Sequence, residues 1–280
     1  MPVSLHNAMQ EFLTDWECDL APAWTDFLGP VALDVEAIAE RLSLEIWEPI
    51  FPVRRGKHFP GMPPKAHALR AFDGIAPAEV RCVVLGQDPY PEPGFATGRA
   101  FEAGNLSAWR EMDKMFSKSI RAYMQMIVAA RTGDPSYGGS FANWPKTLAA
   151  IEAGNVDIEA PSEIADRWMK AGVLLLNASL TLTRFKVEID EHQALGHLVL
   201  WRPFMLRTLQ ALAARGTPLV IICFGDAAKA TLVQSGISGP QLRSILRDHP
   251  AKADAVLAEE NPFLLCNSYL EAMGAKPIAW

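Results

Sequence analysis

The sequence predicts an α/β fold, a three-layer α/β/α domain with a short, mostly parallel central β-sheet. Short apolar, β-branched runs at residues 80–85, 173–176 and 219–224, with a weaker one at 242–246, each break abruptly into glycine or polar residues. Stretches with apolar positions at helical spacing lie among them. Apart from Arg81 the first three runs are apolar throughout, as expected of strands buried on both faces beneath helices.

In chain order, the first forty residues hold eight Asp or Glu and no Lys or Arg. Residues 1–49 are expected to be an acidic helical segment packed on the domain, with helical spacing over 34–46. Residues 49–64 carry five prolines together with Arg54, Arg55 and Lys57, the composition of an irregular, mildly basic wrapping loop. The first strand run ends in Gly86-Gln87-Asp88-Pro89-Tyr90, and a helix is expected over 114–130. The second run ends in Asn177-Ala178-Ser179, before a helix expected over 197–214. The third gives way to Gly225-Asp226 and a helix over 226–234, and the weaker run leads to Asp248-His249-Pro250. No repeat, low-complexity tract or Gly/Ser linker interrupts the chain, so one domain over residues 1–280 is expected.

In parallel sheets of this kind the ligand site lies outside the carboxyl ends of the strands. An acid, an amide and an imidazole are thus expected to converge on one edge, although Asp88 and His249 are 161 residues apart.

Composition narrows the partners. The chain has 280 residues, half of them hydrophobic and 21% charged, which excludes a disordered or fibrous protein. A net charge of −6 speaks against nucleic acid at first sight, since that binding rests on cationic contacts to phosphate. But the acids concentrate in the first forty residues and the remainder carries +2, so only the local field near the site decides. The four cysteines lie 64, 141 and 43 residues apart with no C-x-x-C and no histidine pair at ligand spacing. No disulfide framework and no metal site are expected, and a reducing, cytoplasmic location is the expectation. The N-terminus lacks the basic region of a secretory signal, and the apolar runs are too short to span a bilayer, so no membrane association is expected.

Dinucleotide-binding, P-loop, zinc-peptidase and nucleophile-elbow motifs are all absent. What remains is a carboxylate, an amide, an imidazole and aromatic rings, without a metal cage. That inventory suits cleavage of a glycosidic bond, in which the sugar becomes cationic and the leaving group takes negative charge.

Four blocks in order carry a resemblance: Gly86-Gln87-Asp88-Pro89-Tyr90 after a strand, Gly98-Arg99-Ala100-Phe101, Leu174-Leu175-Leu176-Asn177, and His249-Pro250. Together they resemble uracil-DNA glycosylase of family 1, weakly from about residue 50 to the C-terminus. The resemblance implies a monofunctional enzyme without cofactor that acts as a monomer on uracil-containing DNA, releasing free uracil from a flipped nucleotide and leaving an abasic site. By position, Asp88 resembles the acid that orients the attacking water and stabilises the oxocarbenium-like sugar. His249 resembles the donor to uracil O2 as charge develops there. Asn177 resembles the amide that matches O4 and N3–H of uracil, a pattern that cytosine reverses. Tyr90 resembles the side chain packed against C5, Phe101 the ring on which the base stacks, and Gln87 a contributor of backbone groups to the pocket. Ser119, Gly225, Pro250, Ala251 and Lys252 correspond to DNA-contacting positions.

The chain also departs from the family pattern. Pro91 stands where His is usual, Asp226 replaces the Ser of a Gly-Ser pair, and the prolines before Ser119 are missing. Ala253 occupies the place of a wedging Leu, and Leu257 is the next large apolar residue. Two other readings remain open: a non-catalytic binder of uracil-containing or abasic DNA, and a hydrolase of free nucleosides or nucleotides.

Overall fold

The computed structural model describes residues 2–114, 118–186 and 189–280. A two-stranded antiparallel ribbon, β1 (Val3–Ser4) with β2 (Ser43–Leu44), lies apart from a four-stranded sheet made of β3 (Cys82–Gly86), β4 (Val173–Asn177), β5 (Leu219–Phe224) and β6 (Leu242–Arg247). The four-stranded sheet is wholly parallel, with order β4-β3-β5-β6. The helices are α1 (Leu5–Phe12), α2 (Pro22–Leu28), α3 (Lys118–Thr132), α4 (Trp144–Glu152), α5 (Ile164–Lys170), α6 (Leu198–Ala214), α7 (Asp226–Ser235), α8 (Ala253–Ala258) and α9 (Pro262–Ala272).

The continuous apolar runs become strands because both sheet faces are covered. Side chains alternate across a strand. Val83, Leu85, Leu174, Leu176, Leu219 and Ile221 face a core shared with α1, α2 and α6, where Met9, Trp24, Trp201 and Phe204 pack. Cys82, Val84, Val173, Leu175, Val220 and Ile222 face the opposite core, built with Tyr123, Trp168, Val256 and Phe263 of α3, α5, α8 and α9. β3, β4 and β5 are buried at every position, whereas β6 leaves Arg243 and Ser244 exposed, as an edge strand does.

The chain leaves β3 for β4 on one side and returns to β5 on the other. The carboxyl ends of β3 and β5 therefore flank the switch point, where such sheets bind ligands.

The helix expected over 34–46 does not form. Asp34 accepts from the Ala37 N–H at 3.1 Å and caps only a short 3₁₀ turn, Val35–Ala37. Beyond it, buried Leu42 and Leu44 alternate with exposed Arg41 and Ser43, a period of two that seats β2 beside β1. The helix expected over 114–130 begins at Lys118 and runs on to Thr132. Residues 49–64 form no regular element, and their basic pair holds the acidic segment down. Arg54 donates to the carbonyls of Phe12 (2.8 Å), Thr14 (2.7 Å) and Asp15 (2.8 Å) at the end of α1 and pairs with buried Asp19, which also accepts the Arg55 N–H at 3.0 Å.

Candidate active site

At the end of β3, Gly86 lies in register with Asn177 of β4. A side chain at Gly86 is excluded, since its Cβ would lie 2.5 Å from Asn177 Oδ1 and 3.5 Å from Phe101 Cε2. The backbone continues the pairing past the strands, as the Ala178 N–H donates to Gly86 O and the Ser179 N–H to Gln87 O, both at 2.9 Å. Asn177 is thus a buried amide on a rigid strand end.

Phe101 holds a left-handed backbone (φ 58°), a conformation that costs a non-glycine residue about 1–3 kcal/mol and persists only where its surroundings impose it. Here the Ala100 N–H donates to Leu175 O at 3.2 Å, and buried Arg99 donates to Asp166 at 2.6 Å and Glu102 at 3.3 Å. The Phe101 ring lies flat on Tyr123, with centroids 4.4 Å apart and planes at 8°, and edge-on to Phe224. Tyr123 thus backs one face of the ring and holds it in place.

Asp88 follows β3. Its Oδ2 accepts from Gln193 Nε2 at 2.8 Å and from Gln87 Nε2 at 3.0 Å, while Oδ1 is sealed from solvent and takes no hydrogen bond among the described residues. Burial pushes the carboxyl above its ordinary pKa, against the two amides, which pull it down. Among the described residues no charged side chain contributes to that shift.

His249 follows β6 and rests on the turn after β5. A Cβ on Gly225 (φ 90°) would lie 3.3–3.4 Å from His249 Cβ and Cδ2, so the glycine makes room for the ring. His249 Nδ1 accepts from the Ala251 N–H at 3.2 Å, which leaves the ring proton on Nε2. Burial first, and then the nearby Lys252 ammonium, hold the imidazole below its usual pKa. It is a neutral ring that donates through Nε2.

The arrangement places a carboxylate, an imidazole, a buried amide and an aromatic ring at the carboxyl edge of one sheet. A cavity of about 670 Å³ lies elsewhere, between α1 and the 44–57 segment, and none of these residues lines it. Among the described residues no group of three or more His, Cys, Asp or Glu is placed to hold a metal.

Comparison with known proteins shows what the chain is similar to. The chain is 30% identical to uracil-DNA glycosylase 1 of Streptomyces avermitilis over 259 residues, 92% of this chain and 93% of that one. Its identity to the uracil-DNA glycosylase of Mycobacteroides abscessus is 29% over 259 residues, 92% and 94% of the two chains. The chain belongs to the uracil-DNA glycosylase family. The crystal structure of wild-type UNG from Nitratifractor salsuginis matches this glycosylase with a TM-score of 0.62 at 25% identity, over 94% of this chain and 96% of that one. No family model matches the chain.

Several expectations for the glycosylase change with the structure in view. Of Gln87, expected to offer backbone groups to the pocket, the carbonyl accepts from the Ser179 N–H and the side chain donates to Asp88. Tyr90 is half-buried against the core that contains Phe101. Leu257 is no relocated wedge, because it and Ala253 form the inward face of α8 and are each 6% exposed. A leucine at position 253 would likewise point into packed core. The exposed tip carries Ala251 and Lys252 after buried Pro250. Ser119 stands in the first turn of α3, half-buried, and part of the segment before it lies outside the described residues. Asp226 is exposed at the start of α7 and 3.8 Å from Lys229, which also reaches Asp248 at 3.4 Å.

Gln193 escaped the sequence reading. It is 105 residues from Asp88 and belongs to none of the four blocks, and only folding brings the two together.

Proposed function

We propose that this chain cleaves the N-glycosidic bond of deoxyuridine in DNA, with Asp88 and His249 carrying the chemistry. The convergence of Asp88, Asn177, Phe101 and His249 at the carboxyl ends of neighbouring strands is the observation that supports this reading. The uracil ring stacks on the open face of Phe101, and the amide of Asn177 meets its O4 and N3–H. Tyr90 closes the side where thymine carries a methyl group. As the bond lengthens, the sugar gains positive charge beside the Asp88 carboxylate, which also orients the attacking water. Negative charge develops on uracil O2, where the Nε2–H of neutral His249 strengthens its hydrogen bond. The products are free uracil and an abasic site.

A base inside a duplex cannot reach this pocket, so the nucleotide is flipped out, at a cost of about a few kcal/mol. We place Ser119, Gly225, Pro250, Ala251 and Lys252 along the DNA and read the enzyme as a monomer. The four free thiols, exposed Cys18 among them, fit a reducing, cytoplasmic setting.

The test is single-turnover release from matched oligonucleotides carrying U, T, C or hypoxanthine, with free deoxyuridine as competitor. Release of uracil alone, unaffected by deoxyuridine, is expected. Tight binding of uracil-DNA without release would favour a non-catalytic binder, and turnover of deoxyuridine a nucleoside hydrolase.

A further inference from the structure

We propose that Gln193 is a positioning residue of this reaction: its amide grips Asp88 Oδ2 and so keeps Oδ1 as the oxygen left unpaired for the reaction. The proposal rests on the glycosylase reading of Asp88 given above.

The amide can face only one way. Gln193 Oε1 accepts the backbone N–H of Asp190 at 2.8 Å and that of Lys186 at 3.3 Å, which leaves Nε2 to donate to Asp88 at 2.8 Å. Flipping it would lose both acceptor contacts and set an oxygen against a carboxylate. The turn that carries it is a wide, π-type stretch, Gln193–His197, a geometry that recurs at functional sites. Its far end is anchored in the core. His197 bonds Thr181 at 2.9 Å and Thr183 at 3.1 Å, His192 bonds Thr183 at 3.0 Å, and Trp201 donates to Thr181 at 2.7 Å. The N-terminal segment braces the same turn, as the Ala39 N–H donates to Leu195 O at 3.0 Å and a Cβ on Gly196 would lie 2.6 Å from Leu5 Cδ2. Pro91, next to the Asp88 block, has no N–H and no polar side chain to share the task.

The charged and titratable groups around Asp88 are otherwise engaged. Asp190 pairs with Lys186 at 3.4 Å and Glu191 with Arg41 at 3.0 Å. His192 is lowered by burial, and His197 is held down to about 3 by it. Across the edge, His249 is lowered by burial and Asp248 by Lys229 and Lys252.

The test is the pH dependence of the single-turnover rate in Gln193→Met and Gln193→Glu. Loss of the donor favours protonated Asp88, so the acid limb moves to higher pH, further in Gln193→Glu, where two carboxyl groups compete for one proton. Each unit of movement lowers the rate on that limb about tenfold. A merely structural role would lower the plateau without moving the limb. Gln193→Glu keeps the volume and the two backbone contacts, and serves if Gln193→Met does not fold. A wild-type limb in the folded variants overturns the proposal. Asp88→Asn in the same assay separates the failures. If it stays active the glycosylase reading of Asp88 falls, whereas if it is inactive and the Gln193 limb is unmoved only the positioning role falls.

Discussion

Asp88 and His249 stand at two strand ends of one sheet edge, yet they are held in opposite ways. Asp88 depends on a partner 105 residues away, is raised in pKa by burial, and has no charged neighbour acting on it among the described residues. His249 depends on local contacts: its ring rests on Gly225, its Nδ1 takes the N–H two residues on, and the turn around it carries Lys229, Asp248 and Lys252. The difference matches the work. A carboxylate meant to stabilise a cation is kept from neutralising partners. An imidazole meant to donate needs one tautomer, and a single local N–H is enough to select it.

The sharpest break of that comparison is Asp88→Asn, which should cut single-turnover uracil release by about 10²–10⁴ while uracil-DNA binding stays within about threefold. The same change should stabilise the fold at neutral pH. A carboxyl with a raised native pKa costs stability once pH exceeds that pKa, and the cost fades as pH falls toward the unfolded value. Thermal melts at pH 4 and pH 8 check the sign: the gain in Tm should be present at pH 8 and shrink at pH 4.

On the other side, His249→Ala should lose about 10²–10³ in rate. Gly225→Ala should approach that loss, since its new Cβ presses the ring and its φ of 90° disfavours any side chain. If the glycine acts through His249, the double variant falls little below His249→Ala alone. Additive losses would give Gly225 a separate role.

Leu257→Ala probes the same loop from beneath and should cost about 2–5 kcal/mol of stability without altering the ratio of single-strand to duplex cleavage. Urea unfolding measures the first, and paired oligonucleotides the second. A duplex-selective loss would contradict the inward placement of Leu257. The smallest effect belongs to Asp226→Asn, which should tighten duplex binding about threefold and steepen its salt dependence by about one phosphate contact or less. Binding isotherms at several salt concentrations give that slope.

Much of this was legible in the chain. Runs apolar at every position can satisfy burial only as interior strands, so β3, β4 and β5 were readable within a residue or two at each end. The four blocks could be placed on strand ends because each begins where apolar character stops. The span 34–46 misled because Leu42 and Leu44 fit a helical spacing as well as an alternating one, and pairing with Val3 and Ser4 decided between them. Leu257 could not be placed from the sequence, since a large apolar residue near a loop reads alike whether it faces DNA or the core.

By itself, the sequence determined the interior strands, their mostly parallel arrangement and the kinds of group that reach the sheet edge. These follow from local hydrophobic pattern and from residue types that no fold can change. Tertiary structure alone decided that Gln193 meets Asp88, that Ala251 selects the His249 tautomer, and that Leu257 turns inward. Each of these is a matter of ångströms between groups whose separation in the folded chain is unrelated to any periodicity along it. A hydrogen bond exists only within a few tenths of an ångström of its ideal length, and packing, not composition, sets that distance.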